Sequence, residues 1–454
     1  MTGGRTQLGP WVVLAWSTLA VLVLVFGGLQ FASFLRNPDM DVRIYYDAAL
    51  ALRNGENMFA AWNPDSPLTY IYPPLLALIF LPLTYFDPST AAAAWTVVNV
   101  LLLGFIMLVG GREVMRRCDG RLDALTLPLM LLCSFLYFIS RVKAELDQGQ
   151  VDFLVLAFVV LSLVLIRRRP VLAGVLLGVV ANIKYQTVIF LPYFLVRGWW
   201  RALGGLCAGV LLAAFSGATV LGWELNLDYL RRAFNGVFAL FGAGNPDADA
   251  PMIFPTDWVE SVSLTSTFAR WSPALGWGES GLFPMVGVAA LACFLIGWWI
   301  YRSEGVPLFK GRGGAAGRSD GAHELPVLIE WCGLMVAAIA FAPQTKMRHL
   351  AVLMLVVIFM FQLLLVHRPG VPRWPLLVGS ALFLAGLMLP LQEGEGGWRS
   401  DGGLSLREYW RAQGGPIWCL LLMYFTLVWT GLKWVTHAPR GDRSGGPTPG
   451  APPR

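Results

Sequence analysis

Apolar residues recur along this chain in runs long enough to cross a bilayer, and no other feature constrains its fold as strongly. The runs lie at 11–31, 70–86, 91–110, 123–140, 151–166, 171–183, 185–197, 202–222, 282–301, 326–343, 348–366, 372–390 and 415–436. A helix needs ~17–25 apolar residues to traverse the hydrocarbon core, where no water satisfies backbone N–H and C=O groups. Of the 454 residues 56% are hydrophobic and 14% charged. A soluble domain carries roughly 25% charged residues. A β-barrel would need alternating segments of ~10 residues, which the sequence lacks. The chain therefore reads as an all-α polytopic membrane protein. The first run, Trp11 to Phe31, is long and is followed by no small-residue cleavage site, so it is expected to be a retained span.

Basic residues give the orientation. Arg112, Arg116, Arg117 and Arg121 form one cluster, and Arg167, Arg168 and Arg169 another. Arg197 with Arg201, then Arg302, Lys310, Arg312 and Arg318, then Arg368 with Arg373, complete the set. Lys and Arg flanking membrane spans concentrate on the cytoplasmic side. All these clusters face inward only if 70–86 dips into the outer leaflet or lies along it. Its Pro73, Pro74 and Pro82 already make it a poor straight span. The segments 171–183 and 185–197 then form a short hairpin with its apex, Asn182 to Gln186, near the outer face. The expectation is about 12 crossings with both termini inside.

That layout predicts one membrane domain over 1–436. Loops 32–69, 223–281 and 391–414 and the turns 141–150 and 344–348 are external. The Gly- and Arg-rich stretch 302–325 reads as a cytoplasmic linker and 437–454 as a disordered tail. The net charge of +6 is accounted for by the cytoplasmic flanks, so no nucleic-acid partner is expected. Most of the six cysteines lie in or beside apolar runs and none has CxxC spacing, which gives neither a disulfide framework nor a zinc site.

Polar residues that remain near the outer face are the candidates for chemistry. Asp41 and Tyr45 are four apart in DVRIYYDAAL and share a face if this stretch is helical, while Asp47 points elsewhere. Asp41 is either a solvated helix start favoured by the dipole or a base that deprotonates an acceptor hydroxyl. Lys184 is the one basic residue the layout leaves inside an apolar hairpin. It either snorkels to the interface or donates to an anionic headgroup, most simply a phosphate. The turn RVKAELDQGQVD at 141–152 either caps helices or offers Gln148 and Gln150 to sugar hydroxyls. Lys346, Arg348 and His349 lie on the external side, against the charge bias, so an anion is expected to compensate them. His349 is either structural or a phosphate ligand or proton shuttle.

Four segments, DVRIYYDAA at 41–49, YIYPPLLALIFLPL at 70–83, DQGQVDFLVL at 147–156 and GVLLGVVANIKYQTVIFLPYFLVR at 174–197, resemble in their order glycosyltransferase family 87. These are polyprenol-phosphate-sugar-dependent enzymes of the GT-C membrane class, including bacterial mannosyltransferases. The C-terminal half resembles the family only at 261–271 and 343–349. Asp152 stands where the family has Asn, and Tyr185-Gln186-Thr187 replaces a residue followed by Pro.

The resemblance implies a GT-C-like fold with an external catalytic loop after the first span, in the bacterial cytoplasmic membrane. It implies inverting transfer of a hexose, mannose in the closest pattern, from a polyprenyl-phosphate carrier to a lipid or glycan acceptor. The family acid falls on Asp41 and its external histidine on His349. Lys184, with Lys346 or Arg348, would hold the phosphate. Tyr45, Tyr46, Gln148, Gln150 and Asp152 would line the sugar and acceptor site. No cofactor is expected. A divalent ion at the Asp39-Met40-Asp41 stretch is the alternative to a metal-free site. A transporter or flippase of a lipid-linked sugar is the competing reading, since such proteins also bury charges between helices.

Overall fold

A computed structural model describes residues 9–37, 40–59, 70–118, 124–239, 255–309, 324–388 and 403–437. Among them there are helices and no strand. In chain order they are α1 (Pro10–Phe34), α2 (Asp41–Asn54), α3 (Pro74–Phe80), α4 (Pro88–Phe105), α5 (Gly111–Arg117), α6 (Thr126–Gln148), α7 (Asp152–Leu165), α8 (Pro170–Ala181), α9 (Phe190–Arg197) and α10 (Trp200–Ser216). There follow α11 (Ala218–Leu221), α12 (Trp223–Ala239), α13 (Leu264–Ala274), α14 (Leu282–Ser303), α15 (Glu324–Ala340), α16 (Met354–Leu365), α17 (Trp374–Met388), α18 (Leu406–Ala412) and α19 (Gly415–Thr436). A π turn, Ile106–Gly110, joins α4 to α5, and 3-10 turns cover Leu81–Tyr85, Tyr185–Ile189 and Met347–Leu353.

Seven continuous helical stretches among the described residues are long and apolar enough to span a bilayer. They are Pro10–Phe34, Pro88–Arg117, Thr126–Gln148, Trp200–Leu221, Leu282–Ser303, Met347–Leu365 and Gly415–Thr436. Shorter apolar helices cover Pro74–Tyr85, Asp152–Leu165, Pro170–Ala181 and Trp374–Met388. Pro74–Tyr85 measures only about 18 Å at ~1.5 Å per residue, well short of a ~30 Å hydrocarbon core. Pro73 and Pro74 open it, where a missing N–H costs nothing, and Pro82 begins the 3-10 turn that ends it. The proline-rich run of the sequence is thus a short helix under α2, with Leu76, Ala77 and Phe80 fully buried.

Burial is graded across the bundle. The stretch Met347–Leu365 is 72% buried, whereas α14 is 6% buried and α1 22%. The first is a central post and the other two present apolar side chains outward, as lipid-facing helices do. Helices α8 and α10 approach most closely. A Cβ on Gly174 would lie 2.0 Å from the Ala202 carbonyl oxygen, and one on Gly205 would lie 2.1 Å from that of Val171. Small residues four apart on both helices permit this backbone contact, which in lipid is driven by close packing rather than by the hydrophobic effect.

Charged residues join elements at one end of the bundle. At one end Glu113 accepts from Arg116 and Arg117 at 2.7 Å each. Glu324, at the start of α15, pairs with Arg116 at 2.5 Å and also with Arg167. Arg117, fully buried, donates to the Leu163 carbonyl at 2.8 Å. Two basic clusters far apart in sequence thus share one end with the acids that neutralise them. At the other end lie α2, the α6–α7 turn, the break after α8 and the segment 341–353. The linker at 310–323, the tail from 438 and Asp39 lie outside the described residues.

Candidate active site

Helix α2 opens this end. Met40 is its extended N-cap residue and Asp41 its first residue, where a carboxylate complements the helix dipole. One face of α2 packs on α3, the turn Leu81–Tyr85 and α4, burying Asp41, Val42, Tyr45, Tyr46, Ala48 and Ala49. Asp41 and Tyr45 share that face, as their spacing requires. Asp47 points away and pairs with Arg43 at 2.7 Å.

The α6–α7 turn meets this face from the side. Gly149 ends α6 with φ +62°, and a Cβ there would lie 2.6 Å from Val42 Cβ. Glycine is needed both for the left-handed backbone and for the approach of α2. Trp95 donates to the Gly149 carbonyl at 2.9 Å and Asn99 to the Gln150 carbonyl at 3.1 Å, which satisfies the buried turn. Gln150 then reaches α2 with both ends of its amide. Its Oε1 accepts from the Tyr45 hydroxyl at 3.0 Å, and its Nε2 donates to the Asp41 carboxylate. The sequence reading offered this amide to a sugar, but the fold commits it to holding Asp41.

The basic turn brings the charge. Arg348 Nη2 lies 2.5 Å from Asp41 Oδ2, and Arg348 Nη1 donates to Gln148 Oε1 at 3.1 Å. Lys346 Nζ sits 4.2 Å above the Trp258 ring. His349 Nδ1 accepts the Lys346 backbone N–H at 3.3 Å. The neutral ring therefore carries its proton on Nε2 and has a donor left, not a base. This turn is tied to a buried Ser/Thr patch. Val262 N–H donates to the Thr345 carbonyl at 2.8 Å, Thr345 N–H to Ser261 Oγ at 2.9 Å, and Ser266 Oγ to the Pro343 carbonyl at 2.9 Å. Arg270 donates at 2.7 Å to the Trp258 carbonyl and at 2.9 Å to that of Ala412.

Lys184 completes the cluster. It follows the last turn of α8 in extended conformation, 8% exposed, and its ammonium pairs with Asp152 on the first turn of α7. Asp152 N–H in turn donates to Glu145 Oε1 at 2.8 Å, so a carboxylate from α6 caps α7. Where the family pattern has Asn, the acid at 152 supplies the charge that matches a buried lysine. The Tyr72 ring packs 5.6 Å from that of Tyr45, with Lys184, Asp41 and Asp152 as its charged neighbours. Burial pushes the Tyr45 and Tyr72 phenols above their ordinary value, so both remain neutral donors.

Of the residues singled out in the sequence, Asp41, Tyr45, Gln148, Gln150, Asp152, Lys184, Arg348 and His349 come together, with Lys346 at the edge. Tyr46 does not join them. Its hydroxyl donates to the Phe86 carbonyl at 2.8 Å and anchors α2 to the turn before α4. Tyr72 and Glu145 were missed as site residues. Tyr72 stands in the YIYPP segment and Glu145 three residues before Gln148, so proximity to motifs was the available signal.

Three polar atoms of the cluster, Glu145 Oε2, Asp152 Oδ2 and Arg348 Nε, are buried without a hydrogen-bond partner. Buried polar groups are nearly always satisfied, so these three atoms keep hydrogen-bonding capacity in the middle of the cluster. Among the described residues no group of three or more His, Cys, Asp or Glu is placed to hold a metal ion.

Comparison with known proteins identifies the family. The profile of glycosyltransferase family 87 matches residues 70–311, from the segment containing Tyr72 to beyond α14. The chain is similar to the polyprenol-phosphate-mannose-dependent alpha-(1-2)-phosphatidylinositol mannoside mannosyltransferase of Mycobacterium tuberculosis, at 29% identity over 41% of this chain and 45% of that protein. Its counterpart in Mycolicibacterium smegmatis is 25% identical over 67% of this chain and 66% of that protein. A polyprenol-phosphate-mannose-dependent alpha-(1-2)-phosphatidylinositol pentamannoside mannosyltransferase of the same organism is 28% identical over 46% of this chain and 48% of its own length. The matched region thus spans between 45% and 66% of these relatives. No solved structure matches the chain. With more than half its length matched by the profile, the chain belongs to glycosyltransferase family 87.

Proposed function

We propose that the protein transfers mannose from a polyprenyl-phosphate carrier to a hydroxyl of a membrane glycolipid at the outer face of the cytoplasmic membrane. One observation carries this reading. Asp41, Lys184 and Arg348, from three segments remote in sequence, converge around unsatisfied buried polar atoms at one end of a membrane bundle. The relatives' use of a polyprenol-phosphate-mannose donor and phosphatidylinositol mannoside acceptors supports the choice of substrates.

In this mechanism the donor phosphate enters by exchange. Arg348 and Lys184 are each held by a carboxylate, Asp41 and Asp152, and the phosphate replaces those carboxylates as their partner. Asp41, released from Arg348 but still positioned by Gln150, then accepts the proton of the acceptor hydroxyl. The acceptor oxygen bonds to the anomeric carbon as the bond from that carbon to the phosphate oxygen breaks. Polyprenyl phosphate leaves with the electron pair, and a single displacement inverts the anomeric centre. The cations oppose the charge that grows on the leaving phosphate, and His349 Nε2–H and Tyr72 supply neutral donors beside it. A sugar phosphodiester is already activated, so the reaction proceeds without a metal.

The test is transfer from polyprenyl-phosphate-mannose to phosphatidylinositol mannosides by the purified protein in nanodiscs. D41N should lower kcat by about 10²–10⁴, the span of general-base catalysis, with donor binding retained. Undiminished turnover in D41N would remove the base from this scheme. Chelation by EDTA should leave the rate unchanged.

A further inference from the structure

A cleft of about 450 Å³ opens between the outer ends of α1 and α6. Phe26 and Leu29 of α1 line one part. Gln30 and Ser33 of α1, with Lys143, Asp147 and Gln148 of α6, line the other. Met40 closes it, immediately before Asp41. The apolar part continues onto the outward face of α1, where Val25 is 49% and Leu29 65% exposed. The polar part ends at Gln148, whose amide oxygen accepts from Arg348, the partner of Asp41.

We infer that this cleft is the acceptor entrance, and that it takes a membrane lipid with a polyhydroxylated headgroup. The inference rests on the transferase reading and adds which side the acceptor comes from and what is recognised. Its lining divides at the level where a lipid divides, with acyl chains against Phe26 and Leu29 and a headgroup against the amides and the ion pair. Among the described residues of the lining the one cation, Lys143, is paired with Asp147. The lining therefore adds no unpaired cation of its own, and Arg348 meets it only through Gln148. Amide groups and a carboxylate at close quarters suit neighbouring hydroxyls, which both donate and accept. Lys184 and Lys346 are absent from the lining, so the two lysines assigned to the donor phosphate stand outside the acceptor entrance.

The experiment uses nanodiscs doped with diazirine-bearing phosphatidylinositol or, as a control with the same phosphate but no polyol, phosphatidylcholine. Phosphatidylinositol should label residues 26–33 and 143–148 several-fold more than phosphatidylcholine. S33W, which fills the cleft from an exposed position, should suppress that labelling. It should also raise KM for the glycolipid acceptor at least tenfold and leave donor KM unchanged. V21W, on the exposed face of α1 outside the cleft, should change neither. Equal labelling by both lipids, which would mean a lipid annulus only, overturns the proposal, as does an unchanged acceptor KM in S33W. Selective labelling by a wild-type protein that transfers no mannose would instead keep the lipid site and refute the transferase reading.

Discussion

Lys184 sits in an environment with little tolerance for change. Its side chain is 9% exposed and that of Asp152 is fully buried, so each ion depends on the other. Removing one partner of a buried pair strands the other charge at a cost of about 3–5 kcal/mol. K184M should therefore lower the melting temperature of the purified protein sharply. Adding D152N to K184M should recover the melting temperature, because no charge is left unpaired, yet leave KM for the polyprenyl-phosphate donor elevated. A double variant with wild-type donor KM would show that Lys184 serves stability alone. Gln150 illustrates a different lesson at this scale. It has no net charge and stands in a short turn, but both halves of its amide are engaged by α2, so its expected effect is on the placement of Asp41.

Among the elements, the α6–α7 turn decides whether the acid meets the cations. Gly149 lets the chain reverse in a left-handed conformation and lets α2 come within contact of the turn. G149A imposes a backbone strain of about 1–3 kcal/mol and presses its Cβ on Val42, the neighbour of Asp41. The expected result is a lower melting temperature together with a fall in kcat, measured on the same preparation. A variant that loses stability without losing turnover would separate the turn from the site. Helix α8 has the corresponding task for Lys184. Its glycines lock it to α10, and the chain breaks directly after its last turn, which leaves the lysine facing α7 rather than lipid.

Across the whole molecule, the clusters around Arg116 and Arg167 meet at one end and the candidate site lies at the other. If the site faces outward, a cysteine introduced at the exposed Asn54 will react with an impermeant maleimide in intact cells. One introduced at the exposed Arg168 will react only after permeabilisation. Both belong in a background without the six native cysteines. Reversed labelling would put the chemistry on the cytoplasmic side and exclude an externally supplied acceptor.

The membrane class was legible in the sequence, as was the poor fit of the proline-rich segment to a straight span. The bilayer acts as a solvent on each stretch of chain separately, so local apolarity and charge suffice to place it. Four motifs in order were also enough to suggest the family. Which polar groups meet was settled by the tertiary structure alone. Tyr45 and Gln150 are separated by 105 residues, and Arg348 and Gln148 by 200. Tyr45 and Tyr46 were both expected at the sugar and acceptor site, yet one hydroxyl turns to Gln150 and the other to a backbone carbonyl. Such pairings depend on the distances and crossings of packed helices, and on small residues such as Gly149 that let them close, which no local pattern encodes.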